Sequence, residues 1–340
     1  MINSLTYLTR RCPRKCEYCA LRNTENIGSE LSSRQWRKAF EILKELSIDF
    51  NLILGNETWL LGRRLLKIMK ANKVPYALYT TCPEPLFHRY RKAYFQSGYI
   101  DNLSCGIDYP VREGIQIEDD SYHKSVDAWK GFQWIKACFP NVDTQGTITL
   151  HKKNIQYAPQ LVEDLSRLGV FVGINFIHWN KDGRYDFFPR KEEIADLLFN
   201  ESDYSTVENI LHKILDIPNL LLQNPEFISE KVPVLLNMGW HCGGNPYVGP
   251  TIDADGHLRC CGYRRGIHTP KYTIFDLPEY LEEWGEAVYQ DAMECPGCAW
   301  SYPWMFHFWD ETDPILGEKV FSQHAGRHIP EEKWSNRKIK

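Results

Sequence analysis

Along the first two thirds of the chain, short apolar runs alternate with longer stretches whose apolar residues recur at helical spacing. Leu5 to Leu8 reads as a strand, and after a Cys-rich loop Ser33 to Leu46 places Trp36, Ala39, Phe40, Leu43 and Leu46 on one helical face. The same β-then-α order returns at Phe50 to Leu54 with Trp59 to Met69, and at Tyr76 to Thr80 with Pro85 to Phe95. It continues at Asn102 to Ile107 with Ser125 to Cys138, Thr144 to Leu150 with Tyr157 to Leu168, and Val170 to Ile177 with helical segments from Lys191 to Leu215. Strands alternating with helices predict an α/β fold with a parallel sheet and helices outside it, either an open doubly wound sheet or a partial (β/α)6, TIM-like barrel.

The rhythm stops around Pro218 to Pro233, where prolines interrupt irregular segments. From Leu236 to Trp304 the pattern differs in kind, with glycines clustered over Gly239 to Gly249, a hairpin turn signal at Asp253-Ala254-Asp255-Gly256 and five cysteines. The predicted organisation is a core over residues 1–230, a small α+β metal-binding domain over 235–310 and a C-terminal tail over 311–340, whose tip is expected to fray.

Composition narrows the function. With 340 residues and 43% hydrophobic content the chain can fill a substantial core, and a formal net charge of -4 lacks the basic excess that phosphate-backbone binding uses. Nucleic acid is therefore not a favoured partner. No apolar run reaches the length of a membrane span and no signal-type stretch precedes Arg10, so no membrane association and a cytoplasmic location are expected. In a reducing compartment the 11 cysteines are not expected to form disulfides, which points to metal.

Cys12, Cys16 and Cys19 form C-x3-C-x2-C directly after the first strand. A closed structural zinc site wants four ligands, whereas a four-iron four-sulfur cluster held by three cysteines leaves one iron open for a substrate or cofactor. With Tyr18 at the aromatic position, this stretch resembles the radical S-adenosylmethionine (radical SAM) superfamily motif C-x3-C-x-aromatic-C. The resemblance implies a [4Fe-4S] cluster with an open iron site that chelates S-adenosyl-L-methionine (SAM) and cleaves it reductively to a 5'-deoxyadenosyl radical, which abstracts a substrate hydrogen. Gly55-Asn56-Glu57 resembles the family's Gly-Gly-Glu segment that meets the SAM amino group, with Asn in place of the second Gly. Thr81 sits where relatives carry Thr-Asn-Gly, and Ser104 to Asp108 resembles the segment that touches the ribose, with Gly106 in the usual Ser place. As isolated stretches these also read as turns and strand ends; their position at the carboxyl ends of parallel strands is where ligands of such sheets sit.

Cys242, Gly256, Cys261 and then Cys295-Pro296-Gly297-Cys298 supply four thiols to the second region. The pattern resembles the opening and closing ligands of SPASM and twitch domains, as do Thr251 to Gly256 and Ile274 to Leu277, and it implies one auxiliary [4Fe-4S] cluster held by Cys242, Cys261, Cys295 and Cys298. No cysteine follows Cys298, which favours the twitch type. A zinc ribbon on the same four cysteines remains a second reading. Alternation of side chains along a strand is expected to turn Cys260 away and Cys261 inward. Cys82, Cys105 and Cys138 are expected as small buried hydrophobes.

Catalytic residues stay unassigned; Asp108, His151 and His178 follow predicted strands at the expected substrate edge and are candidate proton acceptors or simply strand-end residues. The aromatic run Trp300, Tyr302, Trp304, Phe306, Phe308 and Trp309 is expected to pack the second cluster away from water. Arg10, Arg11, Arg14 and Lys15 bracket the first cluster and suit a flavodoxin- or ferredoxin-type electron donor. The expected activity is oxidation, dehydrogenation or cross-linking of a small molecule or peptide, in the manner of an oxidoreductase or maturase. With the first strand at Leu5, no separate peptide-recognition module is expected before it. Competing readings are a nucleotide- or RNA-modifying radical SAM enzyme and a non-catalytic metal-binding interaction protein that retains the fold.

Overall fold

The structure is a computed structural model and describes residues 3–19, 29–54, 57–72, 76–112, 117, 120–181, 188–221, 232–241, 250–262 and 264–299. Gly55, Asn56, Cys242, the aromatic run after Ala299 and the tail over 311–340 lie outside the described residues.

Helix α1 (Ser33–Glu45) begins where Ser32 and Gln35 close a reciprocal capping box, and it turns Trp36, Ala39, Phe40 and Leu43 into the core. Its apolar face covers a parallel sheet of β1 (Asn3–Tyr7), β2 (Asp49–Leu54), β3 (Tyr76–Thr80), β4 (Ile100–Gly106), β5 (Asp143–Leu150) and β6 (Phe171–Phe176), laid side by side in chain order. The crossovers carry α2 (Arg63–Asn72), α3 (Glu84–Gln96), α4 (Asp120–Cys138) and α5 (Ala158–Arg167), and α6 (Tyr204–Ile214) follows β6. Six parallel strands in sequential order with helices between them form the partial TIM-like (β/α)6 architecture.

Register sorts the side chains. Leu78 pairs with Leu103, and both join the core against the helices, while their neighbours Tyr79, Ser104 and Gln145 share the opposite face of the sheet. One predicted helix is interrupted, and the helical segments predicted from Lys191 are short. The segment from Trp59 breaks at Gly62, which has a φ of 50° and lies so close to Tyr90 that a Cβ would fall 2.8 Å from the Tyr90 hydroxyl. The segment from Lys191 is two short 3-10 turns, Lys191–Ile194 and Glu201–Asp203, before α6.

The predicted hairpin forms, with β7 (Thr251–Ile252) and β8 (Leu258–Arg259) joined by a turn in which the Gly256 N–H donates to Asp253 O at 2.9 Å. Gly256 has a φ of 91°, which only glycine adopts freely. The hairpin extends the barrel sheet, because β7 pairs parallel with β1 through Leu5↔Thr251 and Thr6↔Ile252. Helix α7 (Leu281–Met293) then leads to Cys295. Among the described residues no helix is long and apolar enough to cross a membrane.

Candidate functional site

Cys12, Cys16 and Cys19 lie on one loop leaving the carboxyl end of β1. The Cys19 N–H donates to Cys16 O at 3.1 Å, and the Arg14 N–H donates to the Cys12 sulfur at 3.4 Å. None is in a disulfide. Burial pushes the Cys12 thiol up to about 12 and the Cys16 thiol up to about 11, so metal binding must drive their protons off. Among the described residues no three His, Cys, Asp or Glu side chains converge on a point where one metal ion would sit. The donor set fits a cluster, which spreads its thiolates over several irons: three thiols on one loop, none in a disulfide, with Cys12 close enough to sense the charge of both others.

The loop is fastened through Tyr18. Its hydroxyl donates to Asp108 Oδ2 and accepts from Lys124 Nζ at 2.6 Å; Lys124 also meets Asp108 Oδ2 at 2.5 Å, and the Thr149 N–H donates to Oδ1 at 2.9 Å. Burial would lower the Lys124 ammonium, but Asp108 and the nearby thiols hold it above its ordinary value. Three donors converge on the Asp108 carboxylate, which ties the cysteine loop to α4 and β5. His151 is brought to the same place, buried and with its ring 5.9 Å from those of Tyr18 and Tyr109.

Glu57 and Thr81, matched separately in sequence, are bonded to each other. The Glu57 carboxylate accepts the Thr81 N–H at 2.8 Å, the Thr81 hydroxyl at 2.6 Å, the Thr80 hydroxyl at 2.7 Å and the Trp59 N–H at 3.0 Å. Burial pushes this carboxyl up, and the Thr81, Thr80 and Trp59 donors oppose the rise. The Glu57 N–H donates to Arg11 O at 3.0 Å, tying the segment to the cysteine loop. Ser104 is buried on β4, its hydroxyl without a hydrogen-bond partner among the described residues.

In the second region Cys261, Cys295 and Cys298 are described. The Arg264 N–H donates to the Cys261 sulfur at 3.3 Å. Strand β8 ends at Arg259, so strand alternation does not govern the next two residues; the Cys260 thiol is hydrogen-bonded to Cys261, which together with burial pushes it well up. Trp240, two residues before Cys242, pairs antiparallel with Cys298. His178 lies against Cys298 with its Nε2 at 3.4 Å from the sulfur, and burial lowers its imidazole to about 4. The structure thus places Asp108 and His151 beside the first cysteine loop and His178 beside the second.

Two residues that sequence reasoning missed hold the second region together. Buried Asp291 accepts the Ile267 N–H at 2.6 Å, the Thr269 N–H at 2.9 Å and the Thr269 hydroxyl at 2.7 Å, joining the segment after Cys261 to the helix end before Cys295. Asp253 pairs with Arg10 at 2.5 Å, each almost fully buried. Arg10 therefore does not belong to the expected basic rim: it is stacked on Tyr7 and turned inward, whereas Arg11 keeps a side chain 60% exposed. Cys138 is exposed at the end of α4, against expectation, while Cys82 and Cys105 are buried with their sulfurs 3.5 Å apart. An Asp or Arg carries no local signal of its distant partner.

No protein-family model and no curated protein sequence matches the chain. Solved structures do. Streptococcus suis SuiB bound to S-adenosylmethionine is similar with a TM-score of 0.57 at 15% identity, over 84% of this chain and 67% of SuiB. SuiB bound to precursor peptide SuiA gives a TM-score of 0.58 at 12% identity, over 86% of this chain and 67% of SuiB. anSMEcpe with bound AdoMet and Cp18Cys peptide gives 0.55 at 14% identity, over 94% of this chain and 99% of that one. Both proteins are solved with S-adenosylmethionine (AdoMet) bound. With its six sequential parallel strands and its cysteine loop at the end of β1, the chain shares the fold of these S-adenosylmethionine-bound proteins.

Proposed function

We propose that this protein is a radical SAM enzyme. The observation that carries the reading is the C-x3-C-x2-C loop, which leaves the carboxyl end of β1 in this fold and is anchored through Tyr18 to the buried Asp108–Lys124 pair. Cys12, Cys16 and Cys19 would hold the first [4Fe-4S] cluster. Bound there, the cluster and SAM supply one-electron cleavage of SAM and, from it, hydrogen-atom abstraction from a substrate. Glu57 and Thr81 form one hydrogen-bonded unit beside the loop, the place where the resemblance puts the SAM amino group; Ser104 offers a buried hydroxyl for the ribose. Tyr18, fixed by two buried partners, keeps the loop from splaying.

Cys242, Cys261, Cys295 and Cys298 are assigned to an auxiliary [4Fe-4S] cluster. Three observations support a fit: Cys261 accepts a backbone N–H, Asp291 draws the Cys261 and Cys295 segments together, and Trp240, two residues before Cys242 in sequence, pairs with Cys298. The favoured substrate is a peptide, in keeping with the peptides bound to SuiB and anSMEcpe, and the favoured outcome is its oxidation or cross-linking. A flavodoxin- or ferredoxin-type donor would meet a smaller basic rim than the sequence suggested, made by exposed Arg11 and Lys15. The test is anaerobic reconstitution of the full chain with iron and sulfide analysis. About eight irons per chain support two clusters, whereas about four with stoichiometric zinc would reassign the second site.

A further inference from the structure

The chain just beyond β6 meets separate pieces of the second cysteine region. The Trp179 N–H donates to Met238 Sδ at 3.3 Å and Lys181 Nζ to Met238 O at 3.1 Å. Gly297 lies against that same carbonyl, so closely that a Cβ would fall 1.9 Å from it. At the centre is buried His178. Its Nδ1 faces Phe176 O at 3.2 Å and therefore carries the ring proton, since a carbonyl only accepts. Its Nε2 accepts the Ala299 N–H at 3.2 Å and lies 3.4 Å from the Cys298 sulfur.

We propose that His178 is a positioning residue of the auxiliary metal centre, fixing Cys298 and the backbone after it against the end of β6. The proposal rests on the functional reading above and extends it by making a barrel strand part of the second centre. A proton-transfer histidine needs a ring nitrogen turned to substrate, and here one nitrogen is turned to its own strand and the other to residues 298–299. Ala299 is fully buried, so removing the imidazole leaves its N–H without that acceptor and frees the Cys298 peptide to rotate. The sulfur then loses its fixed direction toward the metal. His178 lies more than a hundred residues from Cys298 in sequence, so the link exists only in the folded chain.

The test uses the reconstituted full chain with three readouts: metal content, the spectrum and potential of the second centre, and SAM cleavage. His178→Leu is expected to lower iron from about eight to about four per chain while SAM cleavage persists. His178→Gln, whose amide oxygen accepts an N–H, is expected to retain the metal and to shift the spectrum and potential of the second centre. His178→Leu with a full metal load and an unchanged second-centre spectrum would overturn the proposal. So would His178→Gln with impaired substrate turnover and an unchanged second centre, which would make the residue catalytic. If the Leu variant fails to fold, the Gln variant decides, a shifted signal supporting the proposal and an unshifted one overturning it. Wild-type protein with no metal beyond the first cluster would overturn the auxiliary-centre assignment and this proposal with it, which separates that failure from the others.

Discussion

The two cysteine regions are built in opposite ways. The first is a single loop held from outside by buried charge, with Tyr18 on the Asp108–Lys124 pair and Arg14 on Asp127. The second gathers segments far apart in sequence, using one carboxylate that collects N–H groups, Asp291, and one imidazole, His178, at the end of a barrel strand. A loop pinned by an ion pair fails when one charge is left unpaired. A site gathered by hydrogen-bond acceptors fails when its segments drift apart, and each failure should leave the other region standing.

The largest expected effect is in the first region. Asp108→Ala strands the Lys124 ammonium, whose side chain is 8% exposed, and should cost about 3–5 kcal/mol in denaturant unfolding. Asp108→Ala combined with Lys124→Met should cost much less, and equal losses would show that the pair is not the anchor. Asp291→Ala removes the acceptor of the Ile267 and Thr269 N–H groups and should cost about 3 kcal/mol, with loss of second-site metal and retention of SAM cleavage.

Acid should distinguish the regions next. Burial alone would raise Asp291 and Asp253, but N–H donors to Asp291, and Arg10 and Arg259 beside Asp253, hold both below the usual carboxylate range. Their stabilisation is complete above the unfolded value near ~4 and is lost as pH falls through the lower folded values. Burial instead raises Glu57 and Asp127 in the first region, so protonating them on acidification does not weaken it in that way. Hydrogen exchange at pH below ~4 should therefore open the segment around residues 264–269 before the loop at 12–19, and the reverse order would break the comparison. Cluster uptake by the first loop should also slow as pH falls, because the Cys12 and Cys16 thiols, at about 12 and about 11, must lose protons to bind. Iron uptake followed by absorbance at several pH values checks this.

The same contrast explains what the sequence could reveal. The βα units were legible because each pairs a short apolar strand with an amphipathic helix, and the resemblance carried by C-x3-C-x2-C at the first strand end favoured the partial barrel. Ligands on one loop advertise themselves by spacing. Their anchors do not: Lys124 sits on a helix among other polar residues, and Asp291 looks like any helix-end acid. The alternation argument for Cys260 and Cys261 assumed a strand that ends at Arg259. Arg10 was read as rim because its partner Asp253 lies 243 residues away.

The smallest expected effect is at the surface. Arg11→Ala should change stability by less than about 0.5 kcal/mol, since its pair with Glu30 is solvent-exposed, yet should slow reduction by an acidic protein donor at low salt. A stability loss as large as that of Asp108→Ala would mean that the exposed pair, rather than the buried one, holds the loop.

The most direct test of the whole account is SAM cleavage. Reconstituted protein reduced with dithionite should convert SAM to 5'-deoxyadenosine and methionine, and Cys12→Ala with Cys16→Ala and Cys19→Ala should abolish the reaction while second-site metal remains. Absence of 5'-deoxyadenosine from the iron-loaded wild-type protein, or its persistence in the triple variant, would contradict the account.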